Sequence, residues 1–560
     1  MDNIRLVLWL VLAALLWLSY STWMHDYAPA KPAPTPTSTT SASQESAPPS
    51  LPSVTSKAGT SASGGTPAPA APQAPAKSAA PLHPIHVKTD VLDVVIDSRG
   101  GSLVQADLPR YPVHKDQPNV PVRLLDYSPN TRWVIQTGLR DVSGGPEPDH
   151  LAEFTSAKTH YELAPGQKDL VVTLDWTDGP LHARKVYTFH RGRYDVDLKM
   201  IFDNGGKTPW RGAAYAQMIR LHLPNKRHFA DVASYSFSGP MLYNGDRSSK
   251  EKVEDLLKMP IKETVTDGWM AGIEHHFVAA VIPAPNQPTQ IDATAHATGN
   301  NSTYVLTSIG PVKDVPPGGM LDYPLKLFVG PKLQNQLKAT AKGLVLTVDY
   351  GKLTLLAEPL FWALSKVHSV VHNWGWSIVI VTILIRLAFY KLTAMSGRSV
   401  AKMRRLQPRM KALQERYKDD KQALSKATME LYKKEKVNPA AGCLPTLIQA
   451  PFFFAYYWVL IESVEMRQAP FMLWINDLSS RDPYFILPAL MGIAMLLQQR
   501  YLTPPSTDPM QARIMQIMPI GFTVFFAFFP AGLVLYYITN TTLGILQQWH
   551  INRTVAAEQT

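Results

Sequence analysis

The chain has 560 residues, enough for several domains, and a formal net charge of +11. Most of this excess comes from residues 391–436, which hold 14 basic against 5 acidic side chains. The positive charge is therefore local, and it does not indicate a nucleic-acid-binding protein. The single cysteine, Cys443, excludes a disulfide framework within one chain.

The first predicted element is a transmembrane anchor in residues 1–27. Residues 4–24 form an apolar run with aromatic residues at its far end, and as a helix they span about 30 Å, which is enough to cross a bilayer. Signal peptides have shorter apolar cores, so we interpret this run as an uncleaved anchor. Residues 28–84 are rich in Pro, Ala, Ser and Thr and predict a disordered linker, because this composition cannot bury a core.

Residues 85–332 predict an all-β sandwich. Segments 91–96, 170–176 and 194–200 alternate apolar and polar residues, and glycine-containing turn signals separate them. We expect a helix inside this domain only at residues 247–257. The next region, 333–373, has apolar residues at helical spacing beside charged ones and predicts an amphipathic interfacial helix. Packing of that helix against the β-domain is an open alternative.

Five further apolar spans follow, in residues 376–393, 444–464, 484–502, 514–529 and 533–549. With the anchor they make six transmembrane helices, of which the last five form a core in residues 374–552. The span 514–529 is only about 24 Å long, and a short span favours local thinning of the membrane.

The basic segment sets the predicted orientation, because short loops rich in Lys and Arg stay in the cytoplasm. Six spans then place both termini in the cytoplasm and the β-domain on the other side. Residues 395–436 carry apolar side chains at heptad spacing and predict a cytoplasmic helical hairpin. An apolar seam is more than a charged anchor requires, so we also expect the hairpin to contact a partner or to cover a cavity. Residues 553–560 form a short cytoplasmic tail.

Arg386 lies inside the apolar span 376–393, where a charged side chain costs about 2.5–3.5 kcal/mol on insertion scales. Thr382 precedes it by one helical turn, and Gln449, Tyr536 and Tyr537 lie in other spans. No Asp or Glu occurs near the middle of any span, so the sequence predicts an unpaired cation in a hydrated cavity that attracts a transient anionic guest. Snorkelling of Arg386 to the nearer interface is the simpler alternative.

Adjacent His275 and His276 follow Glu274 in the β-domain. Neighbouring residues of a strand point to opposite faces, and a third ligand is not evident, so we expect neither a metal site nor a catalytic site here. The sequence has no glycine-rich phosphate loop, CxxC pair or nucleophile elbow. We therefore expect no cofactor and no enzymatic activity.

Ordered motifs from residue 348 to residue 548 carry a family resemblance. They are Asn373-Trp374-Gly375-Trp376-Ser377 leading to Arg386, Gln407-Pro408, Lys436-Val437-Asn438-Pro439, Gly442-Cys443-Leu444-Pro445, Asp477-Leu478-Ser479, and Phe529-Pro530-Ala531-Gly532 before Tyr536-Tyr537. In these motifs the chain resembles the YidC membrane protein insertases, in the six-span form of Gram-negative bacteria. The resemblance implies a membrane α-helical bundle of six transmembrane helices with a large all-β sandwich periplasmic domain, in the bacterial inner membrane.

The family has a hydrophilic groove that is open to the cytoplasm and to lipid, and the resemblance implies that Arg386 attracts acidic segments of client proteins there. Thr382 and Tyr537 match groove-lining positions, and we add Tyr536 and Gln449. The spans 444–464 and 514–529 match a hydrophobic slide for the client helix. On this slide the sequence predicts Phe453, Tyr457, Phe525 and Phe529.

The implied partners are nascent membrane-protein clients, the Sec translocon, ribosome–nascent-chain complexes and membrane lipids, with no small-molecule substrate. The outer domain resembles a sugar-mutarotase-like sandwich without known catalysis. Many relatives end in a basic tail, whereas residues 553–560 carry one Arg and one Glu. A polytopic transporter or channel is the leading alternative, but coupled transporters usually show internal repeats and intramembrane carboxylates, which are not evident here. A sugar-binding envelope protein is a second alternative.

Overall fold

The computed structural model describes residues 83–142, 144–223, 236–299, 301–417, 420–435, 444–502 and 509–557. These residues all belong to one compact unit, Ser50–Thr560. The predicted anchor in residues 1–27 and nearly all of the predicted linker lie outside the described residues.

Two sheets make up the first part of the described chain. Their strands are β1 (Pro84–Lys88), β2 (Asp93–Asp97), β3 (Ser102–Pro112), β4 (Pro121–Leu125), β5 (Trp133–Asp141), β6 (Thr155–Ser156), β7 (His160–Glu162), β8 (Asp169–Asp178), β9 (Leu181–His190), β10 (Asp195–Asn204), β11 (Trp210–His222), β12 (Gly239–Tyr243), β13 (Ser248–Lys250), β14 (Ile261–Thr266), β15 (Trp269–Ile273), β16 (Phe277–Pro283), β17 (Pro288–Thr298), β18 (Asn301–Ile309), β19 (Lys313–Val315) and β20 (Gly319–Pro331). One sheet has the order β14-β17-β18-β11-β5-β3-β2-β1-β7, with β19 beside β11 and β4 beside β3. The other has the order β13-β12-β15-β16-β20-β10-β9-β8-β6.

The two sheets face each other, as the period-two pattern predicts. In β8, Leu170, Val172 and Leu174 are buried and alternate with more exposed neighbours. In β15, a Cβ on Gly272 would lie 2.8 Å from the ring of Trp133, which belongs to β5 in the opposite sheet. Only a residue without a side chain allows this close approach. The predicted all-β sandwich is therefore confirmed.

The helix predicted at residues 247–257 is wrong over most of its length. Ser248–Lys250 forms β13, which pairs with β12 in the register Met241↔Lys250, and only the single turn α1 (Val253–Leu256) is helical. Pairing with a neighbouring strand outweighs the weak local helix propensity of this segment.

Residues 334–371 form several short elements rather than one helix. They are α2 (Gln334–Thr340), 3₁₀ turns at Leu344–Thr347 and Gly351–Leu353, and α3 (Thr354–Val371). Helix α3 buries Leu360 and Leu364 against the helices that follow, while Leu355 and Trp362 are 86% and 63% exposed. One apolar face is thus packed inside the protein and a second one is exposed, so packing and an exposed apolar surface coexist.

The rest of the chain is a helical bundle. Its helices are α4 (Trp374–Ala388), α5 (Tyr390–Arg405), α6 (Gln407–Arg416), α7 (Lys421–Lys434), α8 (Leu444–Glu462), α9 (Ile486–Leu502), α10 (Pro509–Phe526) and α11 (Ala531–Ala557). Helix α11 is central and packs on α4, α5, α8 and α9. Among the described residues, length and hydropathy mark no single helix as able to cross a membrane, and only the pair α4 and α5 qualifies together.

The predicted continuous span 376–393 is broken, because α4 and α5 meet at a bend of 70°. The amide of Gln547 in α11 donates hydrogen bonds to the hydroxyl of Thr393 at 2.7 Å and to the carbonyl of Tyr390 at 3.3 Å. These contacts join α11 to the first turn of α5, directly after the bend. The span 376–393 contains no proline, so its sequence does not predict the bend.

The described part of the basic hairpin consists of the end of α5 together with α6 and α7. The carboxylate of Asp420 caps α7 by accepting hydrogen bonds from the backbone N–H groups of Gln422 and Ala423. Met403 and Leu406 are buried and pack with Tyr432, so residues of the predicted seam lie between the helices. Arg409 and Glu435 add an ion pair across the hairpin at 2.6 Å.

A polar joint connects the sandwich to the bundle. Nε2 of His275 and Nε2 of His276 both donate to the carbonyl oxygen of Ile461 near the end of α8, at 2.9 and 2.8 Å. The two rings stack with centroids 3.8 Å apart, so the prediction that they face opposite ways is wrong. They lie in the turn between β15 and β16, where the alternation of a strand does not apply.

Candidate substrate groove

Arg386 lies in the last turn of α4 and reaches across to α11. Its Nε donates to Oδ1 of Asn540 at 2.8 Å, and its Nη2 donates to the backbone carbonyl oxygen of Asn540, also at 2.8 Å. The sequence predicts a cation without a partner, and this is wrong in one respect, because hydrogen bonds satisfy part of the guanidinium. Both acceptors are neutral, and no carboxylate pairs with Arg386 among the described residues.

Gln449 joins this contact from α8. Its Nε2 donates to the same Oδ1 of Asn540 at 2.5 Å, so one amide oxygen links α4, α8 and α11. A cavity of about 30 Å³ adjoins the contact, which is room for about one water molecule. Its lining residues are Ile385, Arg386, Phe389, Leu392, Thr393, Gln449 and Phe452. In this structure the cavity beside the predicted cation is therefore small.

The other predicted groove residues divide between two places. Thr382 is buried and its hydroxyl donates to the carbonyl of Ile378 in its own helix at 2.6 Å, so it does not line the cavity beside Arg386. Tyr536 is buried, lies close to Gln449 and Arg386, and stacks on Tyr456 with ring centroids 4.3 Å apart.

Tyr537 belongs with the aromatic residues predicted for the slide. Its ring lies 6.3 Å from that of Phe453 in α8 and 5.5 Å from that of Phe526 in α10. Tyr457 contacts Phe529 at 5.8 Å, and Phe529 contacts Phe525 at 4.7 Å. The structure thus brings all four predicted slide residues into one aromatic cluster, which side chains of α8, α10 and α11 form together.

Phe526 is the centre of this cluster, and the sequence prediction missed it. Its side chain is only 3% exposed and its ring lies within 6.0 Å of those of Phe453, Phe525 and Phe529. A signal was present, because Phe522, Phe526 and Phe529 follow the helical spacing of four and three residues. Around the cluster the surface is apolar, with Phe454 52% exposed.

Asn540 and Gly544 are the other residues that the sequence prediction missed. They lie one turn apart on α11, and a Cβ on Gly544 would come within 2.8 Å of Nη2 of Arg386. Gly544 therefore leaves the room in which the guanidinium lies against the helix. The small polar segment Thr539-Asn540-Thr541-Thr542 within an otherwise apolar span was the available signal.

One cluster in the sandwich has a metal-like composition. Ligand atoms of His190, Asp195 and Asp197 lie within 4.8 Å of one another. However, Arg193 and Lys326 already pair with Asp195, and the two ring nitrogens of His190 bind carboxylates of Asp169 and Asp197 at 2.6 and 3.0 Å. Cationic side chains of the protein itself occupy the places that a metal ion would take, so we interpret the cluster as an ion-pair network.

Comparisons with known proteins cover the sandwich and the bundle separately. The family model described as YidC periplasmic domain matches residues 84–363, and the one described as 60Kd inner membrane protein matches residues 366–558. A membrane protein insertase YidC of Nitrosococcus oceani is 44% identical over 561 residues and covers 100% of both chains. One of Pseudomonas putida is 45% identical over 478 residues, or 84% of each chain.

Among solved structures, the crystal structure of an active YidC insertase with its first transmembrane domain resolved covers 83% of this chain and 91% of its own. Its sequence identity to this chain is 18% and the TM-score is 0.37. The sequence relatives, which are aligned over the whole chain at much higher identity, are therefore the stronger comparison.

Proposed function

Because this chain belongs to the YidC membrane protein insertase family, we propose that it captures acidic client segments at Arg386 and releases client helices along the aromatic cluster of α8, α10 and α11. The chain is an insertase that acts on membrane-protein clients, and it is not an enzyme. What is proposed is the route: a polar end at Arg386, Gln449 and Tyr536, and an apolar end at the cluster.

The observation that carries this proposal is the state of the guanidinium. Arg386 is half-buried and bound by two acceptors that carry no charge. A charge in a low-dielectric environment attracts an opposite charge more strongly than it would in water. A carboxylate of the client that reaches Arg386 therefore gains electrostatic energy and offsets the cost of keeping an arginine within the membrane.

The apolar end supports the second step. Phe453 connects the two ends, because its ring lies 6.2 Å from that of Tyr536 and 6.3 Å from that of Tyr537. Phe525 in the cluster is 44% exposed. A client helix that passes this surface moves from one apolar environment into another. Its transfer from water into lipid is favourable by about 25 cal/mol for each Å² of apolar surface removed from water.

The finer topology belongs to the same proposal. We place six spans in the bacterial inner membrane, with both termini and the 395–436 hairpin in the cytoplasm and the 85–332 sandwich in the periplasm. The exposed apolar side chains of α3, Leu355 and Trp362, then lie in the periplasmic interface of the inner membrane, as aromatic and aliphatic anchors do in interfacial helices. Residues 374–552 form the insertase core and 553–560 the short tail.

The experiment that tests this route is insertion into liposomes by the purified full-length protein. The client carries a short acidic tail that must cross the bilayer. We expect Arg386→Ala to impair its insertion and Arg386→Lys to retain much of it, because Lys keeps the charge. The matched control is Arg513→Ala, which removes an exposed arginine of α10. Equal insertion by wild type and Arg386→Ala would refute the proposed role of the charge.

We further propose the Sec translocon, ribosome–nascent-chain complexes and lipid phosphates as partners. The hairpin supports the last two, because its helices α6 and α7 are rich in exposed basic side chains and such contacts are screened over about 8–10 Å at physiological salt. Co-sedimentation with ribosomes that carry a client should weaken as salt rises and should be lost without residues 395–436. Removal of residues 553–560 is the control and should change little. Binding that ignores both salt and the hairpin would contradict the ribosome contact.

A further inference from the structure

Asn540 accepts three hydrogen bonds from two polar side chains, which is more than packing alone would require. Its side-chain oxygen accepts hydrogen bonds from both Arg386 and Gln449, and its backbone oxygen accepts a second one from Arg386. One residue of α11 thus binds polar side chains from two other helices. Gly544, one turn further along, removes the side chain that would push the guanidinium away.

The hydrogen bonds to Asn540 use one particular edge of the guanidinium. Arginine has five N–H groups in a fixed planar fork. Nε and Nη2 form the edge that faces Asn540, so two of these groups are used. Among the described residues Nη1 has no hydrogen-bond partner, and Arg386 lines the adjoining cavity. The edge formed by Nη1 and the second N–H of Nη2 is therefore free, and its geometry can bind a carboxylate with two parallel hydrogen bonds.

The side chain of Asn540 carries no charge, which distinguishes it from an aspartate at this position. An aspartate has the same shape and would accept the same two hydrogen bonds, but it would add a permanent negative charge 2.8 Å from Nε of Arg386. An arginine that is already paired with a carboxylate attracts a second, transient anion only weakly. The amide of Asn540 positions the guanidinium through the same hydrogen bonds but does not neutralise its charge.

We propose that Asn540 is a positioning residue, which turns the free edge of Arg386 towards the carboxylate of an acidic client and keeps the charge of Arg386 uncompensated. This inference rests on the proposed function, since it assigns a partner to the same arginine. The chemical class of ligand for the free edge is a carboxylate of an acidic peptide segment.

The test uses the full-length protein in liposomes and two clients that differ only in the tail, one acidic and one uncharged. The quantity measured is the ratio of acidic-tail to uncharged-tail insertion. We expect Asn540→Asp to lower this ratio to the value of Arg386→Ala while insertion of the uncharged client persists. The matched control is Asn552→Asp, the same chemical change three turns further along α11, which should leave the ratio at the wild-type value.

A purely structural role for Asn540 gives a different pattern, because a loosened bundle would insert both clients less well and leave the ratio unchanged. That pattern would overturn the inference. If Asn540→Asp does not fold, Asn540→Leu tests the same point, since it removes the acceptor without adding charge. We expect it to lower the ratio part of the way, and an unchanged ratio would overturn the inference.

The proposed role of Arg386 and the positioning role of Asn540 can be refuted separately. A wild-type ratio for Arg386→Ala would remove the proposed function, and the inference with it. A low ratio for Arg386→Ala together with a wild-type ratio for Asn540→Asp would remove only the role of Asn540.

Discussion

At the scale of single residues, Arg386 illustrates how an apolar helix can hold a charged side chain whose partners, among the described residues, are neutral. Its contacts are an amide oxygen and a backbone oxygen of Asn540, and Gly544 provides the space for them. Hydrogen bonds to neutral acceptors lower the cost of burying the N–H groups, whereas a carboxylate would also neutralise the charge. The arrangement therefore favours retention of a charge that a client can use.

Phe526 is the residue on which the aromatic cluster depends most. We expect Phe526→Ala to destabilise the protein by about 3 kcal/mol, because it leaves a cavity among the five aromatic rings that now contact Phe526. Thermal unfolding in detergent measures this. The control is Val524→Ala in the same helix, where the side chain is 61% exposed and the expected change is within about 0.5 kcal/mol. Similar losses for both variants would show that Phe526 is not a packing centre.

Single residues differ in how well the sequence predicts them. Arg386 is evident, because one charge stands in an apolar span. Asn540 is not, because a small polar residue among threonines carries no sign of which helix it will face. Thr382 lies one turn before Arg386 and its hydroxyl binds its own helix, so its place in the groove stays a prediction.

At the scale of elements, the end of α8 is held by another domain. The last carbonyl groups of a helix have no partner within the helix. For Ile461 the partners are His275 and His276 of the sandwich, and Lys332 in turn donates to the carbonyl of His275 at 2.9 Å. The helix that carries Phe453 and Tyr457 is thereby tied to the β15–β16 turn.

This joint should respond to acid. Burial lowers the pKa of His275 to about 4, helped by the nearby positive charge of Lys332, and burial lowers the pKa of His276 well below its usual value, helped by His275. The unfolded chain binds more protons between about pH 6.5 and pH 4, so stability falls as the pH drops through that window, by up to about 1.4 kcal/mol per pH unit for each imidazole.

Thermal unfolding from pH 7.5 to pH 4.5 measures this effect. The matched control is the double variant His275→Gln and His276→Gln, because an amide can donate to the Ile461 carbonyl but does not titrate. We expect the wild type to lose more stability than the variant over this range. Parallel curves would show that the acid response does not arise from these two histidines.

Elements are predicted well where their own sequence decides and poorly where a neighbour decides. The strands of the sandwich follow from alternation, and α8 to α11 follow from apolar runs. The turn after the bend between α4 and α5 contacts Gln547 of a distant helix, and β13 pairs with β12. Local patterns contain no information about either partner.

At the scale of the whole molecule, polar contacts join the bundle to the sandwich and to the segment 334–371 that follows the sandwich. The hydroxyl of Ser236 donates to Glu462 at 2.7 Å, the backbone N–H of Gln334 donates to Glu465 at 3.3 Å, and the hydroxyls of Tyr350 and Ser463 are 3.1 Å apart. The sequence predicts both parts but not this connection, because the residues involved are ordinary polar residues far apart in the chain.

Deletion of residues 90–320 separates the role of the sandwich from that of the bundle. We expect insertion to persist, since the residues of the proposed groove lie in α4, α8, α10 and α11, but we expect a lower unfolding temperature because Ile461 and Glu462 lose partners from the sandwich. Insertion into liposomes and thermal unfolding measure the two effects. A deletion variant that folds, reaches the membrane and inserts nothing would contradict the expected division of roles.

We propose above all that the positive charge at residue 386 selects acidic client tails. The most direct measurement is liposome insertion of one client with a graded series of tails, from acidic to basic, by the wild type and by Arg386→Glu at equal protein amounts. We predict that the wild type favours the acidic tails and that Arg386→Glu loses this preference. Insertion of the acidic tails by Arg386→Glu as efficiently as by the wild type would contradict the claim.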